Sequence, residues 1–365
     1  MLSRQLKVLK DRMKKIPRLK RKKVENAENS HRITNETVAE HRERVLAGGR
    51  RFKYPMQYAR HRLVINTIII SVIALICVIA LIWWQLYSVQ NTSTFFYRIT
   101  RVVPLPVAIV DGQQVRYGDY LTGFRSQEHY LQFKEGVDLY AKENKPQLDL
   151  IKRQSLNDAV ADTYAQKLAK DTHTTVTSQE IDNAIKLQRQ SRDGETSEET
   201  YYAIVLDHFN WTPEEVRQVT ERKLLHQKVA YDIDATAATL KDRLSTALKT
   251  QTDFDKIAAA IQPINGVKVE PSITPLVPSN NQDGGLAEQA AKLELNQVSP
   301  IFRSTNGDGY YVVKLLQKDA NGRISYASLK VPLTVFDKQL KALRSSNKIT
   351  ELITVPKVNI PTTNQ

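Results

Sequence analysis

Residues 63–86 read LVINTIIISVIALICVIALIWWQL, twenty-four positions without a charge. As a helix this run spans about 36 Å, more than the roughly 30 Å of a bilayer's hydrocarbon core. Arg51, Lys53, Arg60 and Arg62 precede it, Trp83, Trp84 and Tyr87 close it, and the next positive charge is Arg98. Cations before the run and interfacial aromatics after it describe a single-pass helix over 63–87 in the cell membrane. The N-terminus is then cytoplasmic and the C-terminal part extracytoplasmic. The run is too long for a cleaved signal peptide and stands behind 62 residues.

The charge distribution supports this division. The chain has 365 residues and a formal net charge of +14. Residues 1–62 hold 19 of the 53 Lys and Arg and 6 of the 39 Asp and Glu, a net of +13. The remainder carries a net of only +1, unlike a domain that binds nucleic acid. Two readings of the tail stay open for Lys7, Lys10, Arg12, Lys14, Lys15, Arg18 and 20–23. They touch anionic lipid, at about 1 kcal/mol per basic residue near the surface, or they form a disordered tail that fixes orientation. The only cysteine, Cys77, lies within the apolar run, so no intrachain disulfide and no cysteine-based zinc site is expected. No phosphate-binding glycine loop and no H-E-x-x-H pattern occurs, and no cofactor or metal is implied.

Beyond the span, 88–106 reads as a linker closed by Pro104 and Pro106. Apolar 107–110, the pair Asp111-Gly112 and a run ending at Val115 predict a hairpin. Helical periodicity follows over 119–133 and 146–170. Thr177 with Glu180, and Thr212 with Glu215, have the spacing of capping boxes. Pro213 suits the first position of the second helix, and 197–209 is a short helix between them. From 234 the pattern changes. Helices are expected at 238–248, 254–261 and 287–295, with a turn at Asp283-Gly284-Gly285. Strands are expected at 267–269, 310–316 and 324–331, the first in a loop-rich stretch containing Pro263, Pro271, Pro275 and Pro278. A last helix covers 336–343.

In order and spacing, VAIVDGQQVRYGDYLTGF (107–124), TSQEIDNAI (177–185) and WTPEEVRQVTERKLLHQKV (211–229) resemble the N-terminal chaperone region of the SurA family of extracytoplasmic foldases. TDFDKIAAAI (252–261), Gly284-Gly285, LELNQVSPIF (293–302) and DGYYVVKLL (308–316) resemble a parvulin (PpiC-type) peptidyl-prolyl isomerase domain. Membrane-anchored foldases of the PrsA and PpiD type share this plan. The resemblance implies a mostly α fold with a smaller α+β module. Its parts are a basic tail (1–62), a transmembrane helix (63–87), a linker (88–106), a helical peptide-binding domain (107–233), a parvulin-like domain with a C-terminal helix (234–352), and a tail (353–365).

The parvulin pattern is incomplete. Its two site histidines are missing, since His31, His41, His61, His129, His173, His208 and His226 are the only histidines and none follows 226. The last-strand histidine position holds Tyr311, after Gly309 and Tyr310. Tyr311, Tyr310 and Phe302 are therefore the candidate catalytic residues of an altered isomerase. An apolar, water-poor groove alone still favours the twisted prolyl amide, so their loss does not by itself abolish catalysis. Tyr120, Phe124, Tyr201, Tyr202 and Trp211 are the candidate peptide-binding residues, within a wider aromatic set that includes Tyr130, Phe133, Tyr140, Tyr164 and Phe209. Three functions are compatible with this pattern: a membrane-anchored folding factor that binds newly exported or unfolded polypeptides, an active prolyl isomerase, and a structural envelope adaptor. In the first, the parvulin-like module adds a second peptide surface by strand addition.

Overall fold

The computed structural model describes residues 34–53, 55–191 and 194–358, and the chain divides into two compact units at Cys77/Val78. The tail cations at 7–23 lie outside the described residues. Within the tail, α1 (Asn35–Lys53) is helical. Glu36 sits in its first turn, where a carboxylate favours the helix dipole, and Glu40 pairs with Arg44 one turn on.

Helix α2 (Pro55–Tyr87) contains the apolar run, and 61–87 is long and apolar enough to cross a membrane. The hydroxyl of Thr67 donates to the Leu63 carbonyl at 2.8 Å, which hides its polarity inside the run. Its residues 78–87 belong to the second unit. Leu86 is fully buried in that unit's first core, and its carbonyl accepts from the Tyr117 hydroxyl.

Where a linker is expected, α3 (Thr94–Val102) forms. Strands β1 (Pro106–Val110) and β2 (Gln113–Arg116) make the predicted hairpin. Asp111 and Gly112 both have positive φ, the geometry of a two-residue turn that matches strand twist. Five helices follow: α4 (Tyr117–His129), α5 (Lys145–Thr172), α6 (Ser178–Gln188), α7 (Glu198–Phe209) and α8 (Pro213–Ile233). A small hairpin of β3 (Gln190–Ser191) and β4 (Gly194–Glu195) lies between α6 and α7. Both capping boxes are complete, with Thr177 and Glu180 opening α6 and Thr212 and Glu215 opening α8. Each satisfies amides that the first helical turn leaves free.

The next module has α9 (Ala235–Ala247), α10 (Phe254–Ala260), β5 (Glu270–Pro278), α11 (Leu286–Ala291), β6 (Phe302–Arg303), β7 (Gly309–Lys318) and β8 (Arg323–Pro332). Its four-stranded antiparallel sheet has the order β5-β8-β7-β6. Strand alternation divides the sheet residues between two cores. Tyr310, Val312, Leu329 and Val331 pack with Leu240, Leu244, Phe254 and Ile257. Tyr311, Val313, Leu315, Ile324 and Tyr326 pack with Leu286, Ala287 and Ala290.

Two expectations for this region differ from the structure. The strand expected at 267–269 is instead β5, which runs through Pro271, Pro275 and Pro278. Proline is tolerated there because β5 is an edge, where its missing amide breaks no ladder bond. The second difference is the C-terminal segment. Sequence assigns the last helix, expected at 336–343, and the residues up to 352 to the 234–352 module, where helix α12 (Val335–Ser345) and strand β9 (Ile349–Glu351) form. In fact β9 pairs with β1, and Phe336, Leu343, Ile353 and Val355 enter the first core beside Val107, Tyr120 and Phe124. The chain leaves the first lobe, builds the second and returns.

Buried polar contacts join the lobes. Asp234 caps α9 through the Ala237 amide, and its second oxygen accepts from the amides of Thr334 and Val335, where α12 begins. The hydroxyl of Tyr231 donates to the Gly309 carbonyl at 2.6 Å.

Candidate functional site

The aromatic residues of the helical lobe separate into core and surface. Tyr120 and Phe124 are buried in the first core. They face α5 and the hairpin, so they line no groove, which corrects the expectation for these two. Tyr164 is likewise buried. Tyr201, Tyr202 and Trp211 are half-buried against Ile181, Ile185, Val205 and Val216, and the Trp211 indole N–H points to the Thr122 carbonyl at 3.4 Å.

The most exposed aromatic of this lobe, Phe133, lies in a local irregularity. At Tyr130 the helix widens into a π-helical turn, Tyr130–Lys134, closed by Gly136 at φ +67°. A π-turn shifts side chains off the α-helical spacing and is frequent at functional sites. Here Leu131 packs against the core, whereas Phe133 stands 72% exposed. Across from it, the end of α7 carries Leu206 and Phe209, both exposed. The rings of Tyr130 and Phe209 stack at 6.1 Å, Phe209 lies 5.4 Å from Trp211, and His129 lies 4.6 Å from Phe133. Lys134 pairs with the Asp207 carboxylate, and His129 bonds the Asp207 carbonyl, fixing the turn against α7. The Lys134 hydrogen bond holds Asp207 below the usual carboxylate range. Rigid rings of this kind supply contact area at low entropic cost.

The three residues expected in an altered isomerase site do not converge. Tyr310 and Tyr311 lie on opposite faces of β7. The Tyr311 hydroxyl donates to Asp308 at 2.6 Å, and Lys330 holds the same carboxylate oxygen at 2.6 Å. Burial, followed by the Asp308 contact, pushes the Tyr311 phenol up, so it stays protonated and is no base at neutral pH. Burial alone would raise Asp308, but hydrogen bonds from Lys330, Ser304 and Tyr311 outweigh it and hold the carboxyl low. Phe302 stacks on Tyr311 and, with Tyr310, borders a shallow cleft of about 670 Å³. Lys241, Lys249 and Arg303 share that cleft, and Lys241 and Arg303 lie over the Tyr310 ring. A cationic, open cleft differs from an apolar, water-poor groove of the kind that favours the twisted prolyl amide. Strand addition also finds a poor edge: β5 lacks amides at three prolines, and β6 has two residues.

A second cleft, of about 630 Å³, opens between α6, α8 and the loops at 280–285 and 305–306. Leu187 and Leu224 give it apolar wall, while Gln190, Asn280, Gln282 and Asn306 bring side-chain amides. The Gln227 amide donates to the Thr305 carbonyl and bridges its floor. The run SNNQDGG (279–285) is the sequence signal for this cleft, although by itself it predicts only a turn. Among the described residues, no group of His, Cys, Asp and Glu is placed to hold a metal ion.

Comparison with known proteins bears on the helical lobe. Residues 56–230 match the family model of the SurA-like N-terminal domain. The chain thus carries a SurA-like chaperone-type domain together with one helix long and apolar enough to cross a membrane. No curated protein matches it. Among solved structures it is similar to a chain from a study of PEB4 and Cj1289, described as two structurally related SurA-like chaperones of Campylobacter jejuni. Identity is 16%, covering 67% of this chain and 90% of that one. The TM-score is 0.22, too low for the likeness to carry any argument.

Proposed function

We propose that the chain is a membrane-tethered folding factor that holds unfolded, newly exported polypeptides on its extracytoplasmic helical lobe. The observation that carries this reading is the strip formed by exposed Phe133, Leu206 and Phe209 with half-buried Tyr130, whose ring stacks on Phe209. It lies inside the region that matches the SurA-like N-terminal domain. Binding there is hydrophobic and independent of sequence, and it needs neither nucleotide nor metal. The amide-lined cleft between α6 and α8 suits the backbone of an extended segment, because a carboxamide both donates and accepts. Tethering by α2 keeps the strip close to chains emerging at the membrane, raising its effective concentration. The orientation, with the lobe outside the cytoplasm, rests on Arg51, Lys53, Arg60 and Arg62 before the span.

The parvulin-like module serves in this account as a rigid brace for the lobe, not as an isomerase. Tyr311 is committed to Asp308, and the cleft at Tyr310 is cationic. The test is light scattering of a chemically unfolded protein diluted into buffer with the full chain in nanodiscs. Scattering falls in proportion to the chain added. Equal scattering with empty nanodiscs, for several unrelated unfolded proteins, rejects the proposal.

A further inference from the structure

We infer that the outer face of α3 lies on the surface of the membrane that α2 enters, with Phe95, Val102 and Val103 in the interfacial layer and Arg98 on anionic lipid headgroups. This rests on the reading of α2 as a membrane span.

The geometry begins at the end of that helix. Trp83 and Trp84 are exposed, as suits rings at the level of the headgroups. Both ends of α3 are tied to the residues around that end. Before α3, the Asn91 side chain donates to the Gln85 side chain at 3.0 Å, and the Asn91 amide to the Gln85 carbonyl at 2.9 Å. The Ser93 amide then donates to the Asn91 side chain. After α3, the Tyr87 hydroxyl donates to the Pro106 carbonyl at 2.6 Å. Val103 is three residues from Pro106, within about 11 Å of extended chain. The helix is therefore held at the foot of the lobe beside Gln85 and Tyr87.

Its two faces differ. On the inner side Phe96 and Tyr97 pack on the first core and Thr100 is buried. The approach to α4 is tight, since a Cβ at Gly118 would stand 2.9 Å from the Thr100 carbonyl oxygen. On the outer side Phe95, Arg98 and Val102 follow at three- and four-residue steps, one face of a helix. Phe95 is 64% and Val102 83% exposed. No hydrogen-bond or ion-pair partner of Arg98 occurs among the described residues. Exposed apolar side chains bracketing a free guanidinium, against the end of a membrane span, match what an anionic bilayer surface binds.

The test uses the full chain with Cys77→Ser and a single new cysteine, Phe95→Cys or Val102→Cys. The protein is labelled with NBD and reconstituted in phosphatidylcholine vesicles with or without phosphatidylglycerol. Ile273→Cys, on the exposed edge of β5, is the aqueous reference. Labels at 95 and 102 shift to the blue, are quenched by lipid-borne doxyl, and show several-fold weaker iodide quenching than 273. Arg98→Gln weakens this protection in phosphatidylglycerol vesicles only. Iodide access equal to that at 273 overturns the inference. So does protection from iodide without doxyl quenching, which places a protein on the face instead of lipid. An Arg98→Gln effect independent of phosphatidylglycerol overturns the headgroup contact. If the chain fails to float with vesicles, the span itself is refuted, a distinct result.

Discussion

Removing Arg153 tests whether the C-terminal segment completes the helical lobe. Arg153, on α5, is 5% exposed. It donates to both oxygens of Glu351 on β9 and to the carbonyls of Val355 and Pro356. Breaking a buried ion pair costs about 3–5 kcal/mol. Glu351 is 34% exposed on its side chain and regains water in Arg153→Ala, which puts the expected loss near the lower end, about 3 kcal/mol. For a lobe of this size, about 2–4 °C per kcal/mol makes that a fall in melting temperature of roughly 6–12 °C. The assay is thermal unfolding of the full chain in nanodiscs, with hydrogen exchange read on β1. The amides at 108–110 exchange faster as β9 detaches, while β7 and β8 keep their protection. A change within about 0.5 kcal/mol, the range of a neutral surface substitution, with unchanged exchange at β1 would refute the clasp.

Three further outcomes rest on contacts of the same kind. Tyr311→Phe removes one hydrogen bond to Asp308, costs about 1 kcal/mol, and leaves the cis–trans exchange of a proline peptide at its uncatalysed rate; a loss of measured catalysis would restore the isomerase reading. Glu215 is held below the ordinary glutamate value, burial being outweighed by Tyr97, Thr212 and Arg101. Its stabilising contribution is thus present above the unfolded value of about 4.3 and is lost as pH falls through the lower folded value. Glu215→Gln should flatten the acid limb of the stability–pH curve, and an identical limb would exclude this residue as its source. Gly307→Ala forces a Cβ to within 2.3 Å of the Gln227 Cγ at φ +75°, and should cost about 1–3 kcal/mol of strain in denaturant unfolding; an unchanged midpoint would show that the α8 contact gives way freely.

The parts of this fold that are legible in the sequence are those written by neighbours in the chain. The two capping boxes, the Asp111-Gly112 hairpin and the uncharged run each depend on residues within a few positions, and each forms where expected. Contacts set by distant segments are not legible. Nothing in Ile349, Thr350 and Glu351 names Val110, Ile109 and Ala108 as their partners. The edge position that lets β5 keep its prolines is a property of the assembled sheet.

The aromatic site is half legible for a related reason. Tyr120 and Phe124 have the same residue chemistry as Tyr130 and Phe133, and helical periodicity gives both pairs a face. Tyr120 and Phe124 precede the π-turn, on the regular helix face that enters the core, whereas Phe133 lies within the turn, off the α-helical spacing, and is exposed. Tyr311 stands out in the sequence because it occupies a histidine position, but its hydroxyl donates to Asp308, whose carboxylate Lys330 also holds. Periodicity cannot see that arrangement, because Lys330 arrives from the neighbouring strand.

The central claim is that unfolded chains are held on the aromatic strip of the helical lobe, and site-specific photocrosslinking reads this directly. A benzophenone side chain replaces Phe133 or Phe209 in the full chain, or replaces Leu295, which is exposed in the other module. The protein is illuminated in nanodiscs with an unfolded polypeptide. The account predicts strong adducts from 133 and 209 and weak ones from 295. Adducts from 295 alone, or none that depend on the client being unfolded, would contradict it.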